Sequence, residues 1–178
     1  MFPPGTRFSY SNANYVLLGK IVEEVTGRPL ERVMLDRIFR PLDLEDTSYG
    51  TAAIGSPDEG PWLGVPVVPG PVRGNAGIVS TVDDVATFFA ALLGGQLLRP
   101  DLLADMTHTI EGGEGYRMGL GISRDELSCG VTWGHAGDGY GYSTMTFAAR
   151  DGSKVVVVAQ NSSGWEAAKS VAEDIYCA

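Results

Sequence analysis

The sequence predicts an α+β chain: a helical region, then an antiparallel sheet closed by a C-terminal helix. Three observations carry that prediction. Apolar residues recur at helical spacing through residues 14–39 and again through 80–106. After Gly112-Gly113 the texture changes to short strand-like runs separated by glycine turns. Residues 165–176 then return to helical spacing. The change of texture divides the chain into a partial helical region, 1–112, and a strand region with its terminal helix, 113–178.

The elements follow in order. Ser11 or Asn12 caps a helix over Asn14 to Thr26, with Val16, Leu17, Leu18, Ile21, Val22 and Val25 as its apolar stripe and Gly27 as its C-terminal stop. Pro29 suits the first turn of a second helix, Leu30 to Phe39, which Pro41 ends. Residues 43–77 are irregular because glycine and proline recur too often for long regular elements. Ser80 with Asp83, or Thr81 with Asp84, caps a helix that runs to Leu93. A shorter helix covers Pro100 to Met106. Strands are expected over Tyr116–Ser123, Gly130–Gly134, Tyr142–Ala149 and Lys154–Gln160, with Asp151-Gly152 as a hairpin turn between the last two. Val155 to Val158 read as a strand buried on both faces, and the last helix covers Trp165 to Tyr176. The stripes of Val16, Leu17, Leu18, Val22, Phe88 and Phe89 are wider than so short a helical set can cover.

Bulk properties narrow the function classes. The 178 residues suffice for a real core, and 44% hydrophobic with 20% charged residues is ordinary for a globular protein. A net charge of −9 argues against nucleic acid and anionic membrane surfaces. No apolar run approaches the roughly 20 residues of a membrane span. Cys129 and Cys177 are either two free thiols or one disulfide between the late hairpin and the terminal helix, the latter in an exported protein. Neither has metal-ligand company, and the only histidines are His108 and His135, so no metal or cofactor is expected.

Two motifs carry chemistry. Pro4-Gly5-Thr6-Arg7-Phe8-Ser9-Tyr10-Ser11-Asn12 runs straight into an apolar helix, and Gly27-Arg28-Pro29-Leu30 follows it. Downstream stand Gly77-Ile78-Val79-Ser80-Thr81, Gly119-Leu120-Gly121-Ile122, and Gly134-His135-Ala136-Gly137-Asp138-Gly139 with Gly141-Tyr142. This ordered set resembles the penicillin-recognising serine hydrolases, in particular class C β-lactamases and serine-type D-Ala-D-Ala carboxypeptidases. It covers nearly the whole chain. Leu127-Ser128-Cys129-Gly130 and Tyr176-Cys177 look like the extracellular actinomycete carboxypeptidases, in which such cysteines pair. The family's first motif, Ser-x-x-Lys, supplies the nucleophile. No serine here has lysine three positions later; Lys20, Lys154 and Lys169 have Leu17, Asp151 and Glu166 there. Full family members are about twice this length, so the chain reads as their C-terminal half.

The resemblance assigns roles residue by residue. Tyr10 is the base and leaving-group acid, a phenol that needs nearby cations to accept a proton at neutral pH; read alone, it is a packing tyrosine at a helix start. Asn12 donates its amide to a substrate carbonyl, while Ser11 reads as a helix cap. His135 assists proton transfer or polarises the substrate. Ala136 replaces the commoner threonine, Gly137 permits close approach of substrate, and the Asp138 N–H is an oxyanion donor. An Asp side chain at 138 is unexpected in a site that binds a carboxylate. Arg124 is the nearest candidate to hold that carboxylate, although Ser123 stands at the expected position. Trp62 lines the acyl pocket or packs locally, and Tyr140 and Tyr142 frame the cleft.

The implied function is that of a serine acyl-hydrolase acting through an acyl-enzyme on D-alanyl-D-alanine peptides or β-lactams. Its substrate is a small peptide or β-lactam-like molecule, and its partner is the N-terminal half of the same protein. The chain is expected to be inactive alone and extracellular, with any signal peptide in that N-terminal part. The alternatives are a non-catalytic remnant or binding module, or half of a small-ester esterase. The residues do not choose among peptidase, β-lactamase and esterase.

Overall fold

The computed structural model describes residues 2–3, 6–49, 74–113, 115–139 and 141–178. These fall into two compact units, Tyr10–Asp84 and Met1–Ser9 with Val85–Ala178. The family fold expected from the motifs is the fold observed, a mixture of helices and antiparallel sheet.

The Tyr10–Asp84 unit opens with helix α1, Asn12–Thr26. Ser11 caps it, its hydroxyl accepting from the Ala13 N–H at 3.3 Å. Gly27 ends it in the left-handed conformation (φ 64°), which frees its N–H to donate to the Glu23 carbonyl. Helix α2, Leu30–Met34, begins after Pro29 and continues as a π-helical turn, Leu35–Phe39. The expected second helix is therefore present, but its last part is wound wider: the Arg40 N–H donates to the Leu35 carbonyl five residues back. Strands β1, Ser48–Tyr49, and β2, Ile78–Val79, form a small antiparallel pair. Thr47 donates to Asp84 at 2.6 Å and shares a 2.7 Å hydrogen bond with Ser80. Helix α3, Val82–Leu93, is capped by Thr81, whose hydroxyl accepts from the Asp84 N–H. Among the described residues of this unit the buried hydrophobics are Leu30, Val33, Phe39 and Leu44, whereas Leu17, Leu18, Ile21 and Val25 on α1 are 54–80% exposed.

The other unit is built on one sheet. Helix α4, Pro100–Met106, takes the bounds expected from the sequence. It is followed by β3 (Ile110–Gly113), β4 (Tyr116–Met118), β5 (Ser123–Leu127), β6 (Gly130–Gly134), β7 (Ala136–Gly139), β8 (Tyr142–Ala148), β9 (Val155–Gln160) and helix α5 (Trp165–Cys177). All neighbouring pairs are antiparallel. The expected single strand over 116–123 is two strands. Gly121 turns the chain with φ 78°, the Gly119 N–H closes on the Ile122 carbonyl at 2.8 Å, and Leu120 is tied to Met106. β3 and β7 were not expected from the sequence.

β6 and β7 are two stretches of one line of chain. Trp133 pairs with Ala148 of β8 and Ala136 with Met145, so a single register runs past His135. β8 lies between that line and β9. One face of the sheet packs Trp133 and Ala148 with Leu93, Ile122, Phe89 and Met106. The other packs Met145 and Phe147 with Ala168 and Ala172 of α5. The run Val155–Val158 does touch both clusters, yet among the described residues β9 pairs only with β8 and its valines are half-buried. Cys129, in the β5–β6 turn, is disulfide-bonded to Cys177 at the end of α5, with Cα atoms 5.5 Å apart.

Candidate active site

The site residues divide between the two units. Tyr10 and Asn12 stand at the start of α1, where Ser11 extends the chain (φ −151°) before the helix begins. That local turn exposes both side chains. The Tyr10 hydroxyl donates to Asn12 Oδ1 at 3.4 Å, and its ring lies 5.9 Å from that of Tyr15. With Oδ1 so occupied, the Asn12 amide N–H groups remain the donors of this side chain. Tyr10 is half-exposed, whereas Tyr15 is partly buried, and its phenol pKa is raised by that burial and then by the proximity of Tyr10. Ser11 is a helix cap, as its position implied.

His135, Ala136, Gly137 and Asp138 lie along the β6–β7 line. The approach to His135 is set by Gly134: a Cβ there would lie 1.8 Å from the Thr146 carbonyl oxygen, so only glycine lets the two strands close. The Ser123 hydroxyl is 3.1 Å from the Gly134 carbonyl and 2.7 Å from Asp125 Oδ2, and the Thr146 N–H donates to the His135 carbonyl. His135 itself is half-buried, and its Nδ1 is 2.6 Å from the Ala136 carbonyl oxygen. Among the described residues, β7 pairs only with β8, so its other edge carries unpaired backbone groups.

Strand alternation separates the motif's side chains. Ala136 packs toward the α5 cluster of Met145, Phe147, Ala168 and Ala172. The Ala136 methyl group therefore does not face the side of the strand shared by His135, and its carbonyl is already met by His135 Nδ1. Asp138 turns the same way: its carboxylate accepts from the Gly164 N–H at 3.3 Å, at the entrance to α5, where a negative charge suits the helix dipole. The acidic side chain that looked out of place is thus committed to the fold behind the strand. Ser143 and Gln160 complete this support. Gln160 Nε2 donates to the Gly164 carbonyl and to the Ser143 hydroxyl, both at 2.8 Å, and Ser143 donates to Ser162 at 2.9 Å. Neither residue stood out in the sequence; the signal was only a polar residue inside each of two apolar strands.

Gly137 faces the side shared with His135. A Cβ there would lie 2.7 Å from Thr144 Oγ1, so a larger residue would crowd that hydroxyl. Arg124 sits opposite Trp133 on β5 and is paired with Glu126 at 2.9 Å. Ser123, the neighbouring residue, is the one registered beside Gly134. Trp62 and Tyr140 lie outside the described residues, and Tyr142 opens β8, half-buried. Among the described residues no group of His, Cys, Asp and Glu has metal-site geometry, and no helix is long and apolar enough to cross a membrane.

Comparison with known proteins agrees with these motifs. The beta-lactamase family model matches residues 1–176. A D-stereospecific amidohydrolase from Streptomyces sp. is 33% identical, with a TM-score of 0.83, over 99% of this chain and 57% of its own. The D-amino acid amidase of Ochrobactrum anthropi SV3 is 25% identical, with a TM-score of 0.77, over 98% of this chain and 58% of its own. An Escherichia coli (strain K12) protein named "Putative D-alanyl-D-alanine carboxypeptidase" is 48% identical over 48 residues, 27% of this chain and 11% of its own length. The chain therefore spans little more than half of these solved relatives and less of the curated one. Matched over almost its entire length, the chain belongs to the beta-lactamase family of serine hydrolases.

Proposed function

We propose that this chain carries the substrate-aligning part of a serine acyl-hydrolase that works on D-aminoacyl compounds through an acyl-enzyme. The observation that carries the reading is an edge of β7 that has no strand partner among the described residues. It is a glycine-bearing strand edge, entered through His135 and braced from behind by Asp138, Ser143 and Gln160. An extended acyl chain can add to such an edge by backbone hydrogen bonds. Tyr10 acts as base and leaving-group acid, Asn12 donates to the acyl carbonyl, and the Asp138 N–H is one oxyanion donor. Trp62 lines the acyl pocket. The nucleophile comes from polypeptide beyond these 178 residues, because Ser-x-x-Lys is absent from them. D-Alanyl peptides, β-lactams and small esters all fit acyl transfer of this kind. The named activities of the Streptomyces and Ochrobactrum relatives favour a D-aminoacyl group. The disulfide supports an extracellular location.

The absence of the nucleophile motif equally favours a second reading, a non-catalytic remnant that retains the binding strand. Expression of the longest reading frame containing this chain separates the two. The enzyme reading expects hydrolysis of a D-alanine anilide that falls roughly 10²–10⁴-fold in Tyr10→Phe. No hydrolysis, or full activity in that variant, overturns it.

A further inference from the structure

Among the described residues Asp125 is the one buried ionisable side chain. Burying a charge costs stability unless partners hold it, and an apolar residue of similar size serves a core at least as well. Packing alone does not account for a carboxylate here. Lys169 on α5 brings its Nζ to 3.5 Å from Asp125 Oδ1 and lies 5.6 Å from the Trp165 ring. Thr132 stands directly across the ladder and is fully buried, yet Asp125 turns along its own strand instead. Its Oδ2 is 2.7 Å from the Ser123 hydroxyl, two residues back on the same face. That hydroxyl is also 3.1 Å from the Gly134 carbonyl oxygen. One hydroxyl has one proton, so Asp125 and Gly134 compete for it. The place matters. Ser123 with Gly134 is the last pair between β5 and β6, and the next residue is His135. Beyond it, among the described residues, the line continues as β7 paired only with β8.

We propose that Ser123, Asp125 and Lys169 are positioning residues for the motif strand. The Lys169 charge draws on the Asp125 carboxylate and weakens its hold on the Ser123 proton. The proton is left to the Gly134 carbonyl, and the peptide joining Gly134 to His135 is fixed where the strand loses its neighbour. Helix α5 thereby acts on the motif line at three points: directly at Ala136, through Gly164 at Asp138, and through this relay at Gly134. None of the three residues is asked to touch a substrate. The inference rests on the acyl-hydrolase reading only for what the strand is aligned to do, and its test requires no turnover.

The test is NMR of the labelled chain, reading the Gly134 carbonyl ¹³C resonance through the His135 amide. Accepting a hydrogen bond moves a carbonyl carbon downfield. Ser123→Ala should therefore shift Gly134 upfield, and Ser123→Thr should restore it. Lys169→Met keeps the stem, removes the charge and should shift Gly134 upfield by less. Asp125→Asn should act in the opposite sense, because the new amide donates to Ser123 and frees its proton for Gly134. Thr132→Val, beside the same carboxylate, should leave the resonance in place. An Asp125→Asn shift in the same direction as Ser123→Ala, no shift in Ser123→Ala, or an equal shift in Thr132→Val overturns the proposal. Lys169 is partly exposed, so Lys169→Met decides the matter where a core variant fails to fold: an unmoved or downfield Gly134 contradicts the relay. If the exposed face of α1 makes the chain self-associate, Leu17→Ser with Ile21→Ser supplies a soluble background. Failure of the hydrolase reading shows instead as a missing acyl-enzyme in the longer protein, with these shifts unchanged.

Discussion

The two units differ in how well each satisfies itself. In the sheet unit a contiguous core forms, although Leu120, Val171 and Ile175 remain exposed. Phe147, Ile122, Ala148, Ala168 and Ala172 are fully buried, both sheet faces are covered, and the disulfide ties α5 to the β5–β6 turn. In the Tyr10–Asp84 unit, α1 buries only Gly19, while Leu17, Leu18, Ile21 and Val25 face outward. Both units carry motif residues. The His135 strand is held by a closed network, whereas Tyr10 and Asn12 sit on an exposed helix start. The sheet unit therefore has the larger core among the described residues, while α1 keeps an apolar face exposed.

The largest effect expected from this contrast is on the core. Phe147→Ala should destabilise the sheet unit by about 3–5 kcal/mol, because it leaves a cavity against α5. Leu17→Ala, equally apolar but exposed, should change stability by no more than about 0.5 kcal/mol. Denaturant melts of the two variants check this, and similar costs would erase the contrast. Next comes the disulfide. Cys129→Ser with Cys177→Ser releases a closure of 48 residues, about 4 kcal/mol in the chain-entropy model. Thiol titration of native protein checks its presence: two alkylatable cysteines would contradict it. Asp138→Ala removes the acceptor at the α5 entrance and should cost about 1 kcal/mol, with Asp138→Asn costing less. The smallest effect is electrostatic. A hydrogen bond from Arg28, aided by the charges of Arg28, Arg40 and Arg32, holds the Asp36 carboxyl below its ordinary 3.8. The pKa is depressed in the folded chain. Its contribution is therefore complete above the unfolded value and is lost as pH falls through the folded one. An NMR titration of Asp36 in the wild type and in Arg28→Ala reads this, and an unchanged midpoint would contradict it.

The helices were legible because period, cap and stop agree locally. Thr81 and Gly27 serve the ends assigned to them, and α4 has the bounds its pattern implied. The strands were legible only where β-branched residues accumulate, as at Val155–Val158. β7 is Ala-Gly-Asp-Gly, and nothing in its composition favours a strand. It is one because β8 supplies partners at Ser143, Thr144 and Met145, a non-local condition. The motif residues were readable as types, but their facing was not. That Ala136 and Asp138 turn toward α5 follows from the register of the folded sheet. The orphan carboxylate found its partner in Gly164, 26 residues later.

The central claim is that these 178 residues contain the aligning groups of an acyl-hydrolase and lack its nucleophile. Incubation of the purified chain with a fluorescent penicillin, followed by denaturing electrophoresis and intact-mass measurement, tests it directly. The account predicts no covalent adduct. A stable acyl adduct mapped to Ser11, or to any other serine of the chain, would contradict it.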